Sequence, residues 1–135
     1  MQREEILKAI KAAYAARLND DAAALAELWA DGSTFEIEGE KRLIEAFPAA
    51  GPTGLPAAID VILALVKMSD AHQEVVAIDG NRAVVINRAT LSFGGGEPLK
   101  TTMCDVWEFD DAGKVRSLRE FLDTAMLAQE MAGLG

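Results

Sequence analysis

Leu99-Lys-Thr-Thr-Met-Cys-Asp-Val-Trp-Glu-Phe-Asp-Asp-Ala-Gly-Lys-Val-Arg-Ser-Leu-Arg-Glu-Phe-Leu122 holds two strand-like runs split by one turn signal. Leu99–Phe109 and Val115–Leu122 carry β-branched and aromatic residues, and Asp110-Asp-Ala-Gly113 between them reads as a hairpin turn. Toward the N-terminus, Ala83–Phe93 and Gln73–Ile78 read the same way, broken by Gly94-Gly-Gly96 and Asp79-Gly-Asn81. The triple glycine lacks the Lys-Ser/Thr of a phosphate loop and reads as a hairpin tip. Four strands joined by short turns make an antiparallel meander.

The first half has a different period. Ile6, Ile10, Tyr14 and Leu18 recur every four residues, with Leu7 beside them, which predicts an amphipathic helix over about Arg3–Leu18. Asn19-Asp-Asp21 breaks it and offers N-caps to a second helix carrying Leu25, Leu28 and Trp29, which stops near Asp31-Gly32. Ser33–Glu38 alternates through Phe35 and Ile37 as a short strand. Gly39–Gly54 reads as a loop or lid with a helical turn around Leu43–Phe47, and Leu55–Met68 as a third helix with Pro56 in its first turn. Asp123 or Thr124 caps a short C-terminal helix. Three helices ahead of a meander predict an α+β fold: a cone-like curved antiparallel (mixed) sheet with three N-terminal helices packed over an apolar pocket. The 135 residues fit a single domain over 1–135.

Charge narrows the function. Thirteen basic residues against twenty-two acidic ones give a net charge of −9, which disfavours nucleic acid. No apolar run reaches membrane-span length, and Met1-Gln-Arg-Glu-Glu5 does not read as a signal peptide, so a cytoplasmic protein is expected. One Cys and one His are too few for a Cys/His zinc site or an internal disulfide. An all-carboxylate metal site stays open, although no calcium-loop spacing is present.

Alternation picks out unusual positions. Thr101, Met103, Asp105, Trp107 and Phe109 share a face, and an acid in the middle of a mostly apolar face must raise its pKa or find a cation. Glu120 has the same problem on a face with Arg116, Leu118 and Leu122. Arg88 shares a face with Ile86, Thr90 and Ser92, and an Asp105–Arg88–Glu120 network is the sharpest expectation; it serves equally as a catalytic clamp or a structural ion-pair network. Tyr14 sits on the apolar stripe of the first helix, as a core tyrosine or a pocket donor. His72 reads as exposed at a strand start. Cys104 alternates out of phase with Asp105 and reads as inert, and Trp29 and Trp107 read as packing, with Trp107 also able to wall the pocket.

Two stretches carry a resemblance. Tyr14-Ala-Ala-Arg-Leu-Asn-Asp-Asp-Ala-Ala-Ala-Leu-Ala-Glu-Leu-Trp-Ala-Asp-Gly-Ser-Thr-Phe-Glu36 resembles the opening of nuclear transport factor 2-like enzymes, among them ketosteroid isomerases, limonene-epoxide hydrolases and SnoaL-like polyketide cyclases. Asp105-Val-Trp-Glu-Phe-Asp-Asp-Ala-Gly-Lys-Val-Arg-Ser-Leu-Arg-Glu-Phe-Leu-Asp123 resembles their last two strands. From the isomerases the resemblance implies that Tyr14 and Asp105 form an oxyanion hole. The isomerase base does not carry over: Ile37 holds its place, and Glu38 would need a bulge to reach the pocket. From the hydrolases, Arg88 and Glu120 match an Asp–Arg–Asp cluster, whose other acid is Thr90 here, while Phe35 and Ile37 replace the water-holding Tyr and Asn. The SnoaL-like cyclases also place an acid at Glu120.

The resemblance therefore implies Tyr14, Arg88, Asp105 and Glu120 as catalytic candidates. Phe35, Ile37, Thr90, Met103, Trp107, Leu118 and Leu122 would line a site for a small apolar molecule. The implied activity is a cofactor-free isomerase, cyclase or hydrolase acting on a ketone or epoxide, with no metal. The alternative is a non-catalytic ligand-binding or scaffold domain, since neither catalytic set is complete. A homodimer through the sheet is implied for either.

Overall fold

The computed structural model describes residues 1–40 and 55–133. The expected loop, with its turn around Leu43–Phe47, lies outside the described residues from position 41 onward. Helix α1 (Arg3–Leu18) leads into α2 (Ala22–Leu28) and strand β1 (Trp29–Glu38). Helix α3 (Leu55–Leu65) is followed by β2 (Val66–Asp79), β3 (Arg82–Phe93), β4 (Leu99–Phe109), β5 (Val115–Phe121) and α4 (Thr124–Ala132). The sheet order is β1-β5-β4-β3-β2. The four later strands form the antiparallel meander, and β1 joins β5 in parallel, which makes the sheet mixed.

Local chemistry sets the element ends. Asp21 caps α2 by accepting from the Ala24 N–H at 3.1 Å, and Asp123 caps α4 by accepting from Met126 at 3.0 Å. Gly80 takes φ +58 in the β2–β3 turn, a conformation a Cβ would oppose. At the β4–β5 turn the Asp110 carboxylate accepts from both Ala112 and Lys114 backbone N–H groups at 2.9 Å.

Two boundaries differ from the sequence expectation. Val66–Ala71 is strand rather than helix end or loop, because Val66 pairs with Phe93 and Met68 with Leu91 along the far half of β3. A short apolar run is helix or strand by period alone, and here the open ladder decides. Likewise β1 begins at Trp29, which pairs with Val115 ahead of the register shift at its start. Further irregularities interrupt β2 between Ser69 and His72 and between Val75 and Ala77; the first contains Asp70 at φ +46. Bulges of this kind bend a strand, and the sheet curls without closing.

The concave face carries the core. Ile6, Ile10, Ala13 and Tyr14 of α1 are buried with Ile59 and Leu63 of α3, Phe35 and Ile37 of β1, and Val85, Leu91, Met103, Trp107 and Phe109 of the meander. Leu18, expected on the α1 stripe, is exposed at the helix end. Among the described residues, no helix is long and apolar enough to cross a membrane.

Helix α4 is held through Leu127, which is 1% exposed. Leu127→Ala is expected to cost roughly 2–5 kcal/mol by leaving a cavity. Asp21→Ala should cost only about 1 kcal/mol, the worth of one cap. Urea midpoints at unchanged slope check both, and the ordering fails if the cap variant is the weaker protein.

Candidate active site

Three elements bring polar groups to one apolar cavity. Alternation along β4 points Met103, Asp105, Trp107 and Phe109 inward, and all four are buried. On β5, Leu118 and Glu120 face the same way. Helix α1 lies across them and contributes Ala13, Tyr14 and Arg17. Trp29, Leu25, Phe35, Ile59, Ile62, Leu63 and Met68 complete the wall among the described residues.

A donor chain runs from the sheet through the helix and back. The Trp107 indole N–H donates to the Tyr14 oxygen at 3.2 Å, and the Tyr14 hydroxyl donates to Asp105 Oδ2 at 2.5 Å. The Tyr14 and Trp107 rings meet edge to face with centroids 5.6 Å apart. Tyr14 has one hydroxyl proton and gives it to Asp105. The other carboxyl oxygen, Asp105 Oδ1, is buried without a hydrogen bond.

Strand register places the second acid beside the first. Asp105 and Glu120 are directly opposite across β4 and β5, and Ile37 is opposite Glu120 across β5 and β1. Cross-strand neighbours have Cβ atoms about 5 Å apart, so ionising both acids in an apolar wall is unfavourable. Burial pushes the Asp105 carboxyl up to about 7, against the pull of the Tyr14 hydrogen bond. Burial and the charge of Asp105 push Glu120 up to about 8, with the Arg17 guanidinium opposing. Burial beside Asp105 also drives the Tyr14 hydroxyl far up, so it stays a donor. The two carboxyls titrate as one unit that keeps a proton near neutrality.

Among the described residues, the cation lining the cavity is Arg17. It lies three residues after Tyr14, so it shares that face of α1, a spacing visible in the sequence. Its Nη2 donates to the Val66 carbonyl at 2.5 Å, where α3 gives way to β2. Burial lowers its pKa, while Glu120 and Asp20 oppose that shift.

Arg88 and Thr90 point the other way, which corrects their expected place. Strand β3 is buried at Ala83, Val85, Asn87, Ala89, Leu91 and Phe93, and alternation sends Arg88 and Thr90 to the convex side. There the Arg88 side chain is 59% exposed, 3.5 Å from Glu74. The odd positions of β3 are the more apolar set, and that signal was available. Arg116 is also exposed, paired with Glu108 at 3.0 Å, because the β4–β5 register shifts near Phe109 and buries Val115 instead.

The remaining candidates fall as follows. Glu38 turns outward and accepts from Arg119 at 2.8 Å, so no bulge returns it to the cavity. Phe35, Trp107 and Leu118 line the first compartment; Phe35, Ile37, Met103 and Leu122 line a second that shares Arg17, Phe35, Ile62, Met68 and Glu120. His72 is exposed. Cys104 is half-buried on the convex side with its thiol pKa raised, chiefly by burial. Trp29, expected only to pack, lines the cavity with a buried indole N–H that has no acceptor.

The two compartments measure about 90 and 60 Å³. An apolar cavity of about 150 Å³ takes up benzene, which sets the scale against which the two compartments are small. Among the described residues, no three His, Cys, Asp or Glu side chains gather as a metal set.

Comparison with known proteins agrees with this architecture. Residues 10–118 match the model of the SnoaL-like domain. A proposed isomerase from Rhodopseudomonas palustris is 22% identical over 98% of this chain and 99% of that one, with a TM-score of 0.74. A nuclear transport factor 2-like protein from Burkholderia xenovorans is 26% identical over 97% and 98%, with a TM-score of 0.77. An LEH-like epoxide hydrolase of M. tuberculosis is 17% identical over 96% and 91%, with a TM-score of 0.70. No curated protein matches the chain. With a family model spanning most of its length and a curled mixed sheet roofed by helices, the chain belongs to the SnoaL-like domain family of the nuclear transport factor 2-like superfamily.

Proposed function

We propose that this protein is a cofactor-free acid/base enzyme acting on a small, ring-sized molecule that carries a carbonyl or epoxide oxygen. The observation that carries the reading is Asp105 Oδ1: a buried carboxyl oxygen without a partner in an apolar cavity, one strand away from a second acid in register. Asp105 stays neutral and donates from Oδ1 to the substrate oxygen, and Tyr14 and Trp107 hold it in place. Such a donor gains strength as charge grows on that oxygen. The two acids share a proton near neutrality, and a substrate oxygen, which accepts only from protonated Asp105, draws it to Oδ1 and leaves Glu120 ionised near Arg17. Glu120 therefore does the proton exchange: it takes the proton from carbon or water and returns it after rearrangement. It fills the role left empty at Ile37, its neighbour across β5 and β1. The isomerase and epoxide hydrolase among the structural neighbours support this class of chemistry.

A homodimer through the convex face is part of the proposal. Val76 and Phe121 are exposed apolar residues on that sheet, and Val84, Ile86 and Val106 are only half-buried.

On a panel of ring-sized enolisable ketones and epoxides, Glu120→Gln should lower turnover about 10²–10⁴-fold, the usual worth of a general acid/base, with folding intact. Asp105→Asn keeps a donor and should retain most of the rate. Equal losses from both would reverse the assigned roles, and saturable binding without product would favour the non-catalytic ligand-binding reading. Both folded-state carboxyl pKa values are raised, so their contribution to stability is complete below the ordinary carboxylate range and is lost as pH rises through about 7 and 8. Thermal midpoints taken from about pH 5 to about pH 9 should fall for the wild type and flatten in an Asp105→Asn/Glu120→Gln double variant. Light scattering at micromolar concentration should give twice the chain mass; a monomer there rejects the dimer.

A further inference from the structure

We propose that Arg17 anchors the ligand and selects a monoanion, so that the substrate carries a carboxylate or enolate oxygen in addition to the oxygen held by Asp105. This rests on the enzymatic reading for the second contact, but the anion site stands on its own geometry.

The cavity wall is mostly apolar, yet some of its polar atoms are unmatched. Arg17 Nη1, Trp29 Nε1 and Asp105 Oδ1 are all buried without a hydrogen bond, and all three belong to residues lining the first compartment. Among the described residues only one other buried side-chain atom, Ser33 Oγ, shares that condition. A buried donor without an acceptor costs about 1–3 kcal/mol. Guanidinium and indole N–H groups donate and never accept. Two fixed donors on one small cavity call for a ligand that presents acceptors, and one of those donors carries charge.

Arg17 is held for this task. Its Nη2 is tied to the Val66 carbonyl, while Nη1 is buried without a hydrogen bond and the residue lines both compartments. Its nearest carboxylate is Asp20, with Oδ1 3.8 Å from Nη1, and Asp20 is shared with Lys67, whose Nζ lies 3.3 Å from Oδ2. Asp20 is half-exposed and divided between two cations, so it does not neutralise Arg17 by itself. Glu120 lines the same compartment but makes no ion pair with Arg17 within 4 Å among the described residues. The Arg17 side chain is only 13% exposed, so a ligand anion there meets a desolvated partner. Arginine keeps its proton near neutrality, so a ligand anion there meets a charged partner.

The test is equilibrium binding, followed through the fluorescence of Trp29 and Trp107, the chain's two tryptophans, both of which line the cavity. The probes are 4-hydroxybenzoate and its neutral isostere 4-hydroxybenzamide. The anion should bind the wild type at least about tenfold tighter than the amide. Arg17→Met should erase most of that preference, weakening the anion about tenfold or more while leaving the amide within about threefold, and Arg17→Lys should restore part of it. Equal affinity of the two probes in the wild type overturns the proposal, as does failure of both to bind, or an Arg17→Met variant that loses both alike. The wild-type comparison decides even if the variants do not fold. Because nothing here requires turnover, charge selection without catalysis would sink the enzymatic reading and leave this one standing. Turnover of neutral ketones without charge preference would do the reverse.

Discussion

The Tyr14–Asp105 hydrogen bond is the constraint around which the rest is arranged. Asp105 is 3% exposed on the concave face of a sheet, surrounded by Trp107, Met103 and Phe109. A carboxyl group there is costly unless it is neutral or bonded. Tyr14 bonds it from a helix on the other side of the core, so one contact satisfies the acid and fixes the height of α1 above the sheet. Trp107 then supports Tyr14 from the strand that carries the acid, two residues on. The loop of contacts returns to its starting strand and cannot shift one member without breaking another.

That height leaves a gap between the layers, and the gap is the cavity. Strand irregularities in β1 and β2 curl the sheet, and α3 packs over β1 and β2. An apolar enclosure of this kind raises the pKa of both inward acids for the same reason that it binds apolar ligands: it withholds water. Pairing Asp105 with Glu120 across adjacent strands strengthens the effect, since each charge opposes the other. The site thus obtains a carboxyl proton near neutrality from burial and register alone.

Much of this was legible in the sequence, though not evenly. Alternation alone placed Asp105 and Glu120 on inward faces, because each sits at period two from residues that bury. The helical stripe placed Tyr14 correctly. Arg88 was misplaced although the odd positions of β3 are the more apolar set; Ile86 and Val84 on the outer face blur the difference from Val85 and Leu91 inside. Arg17 was passed over although its spacing from Tyr14 put it on the same face; a charged residue at a helix end reads as solvated until the strand that crosses it is known.

Composition and period determined the α+β class, the meander, the caps and the parity of most strands, since those follow from local backbone preference and from which side chains avoid water. Tertiary structure decided the rest. That β1 pairs parallel to β5, that Asp105 faces Glu120 in register, and that Arg17 reaches Val66 are long-range facts between segments from about 15 to about 90 residues apart in the chain. No local rule fixes such pairings, because their free energy depends on how the whole sheet curls and which helix it receives.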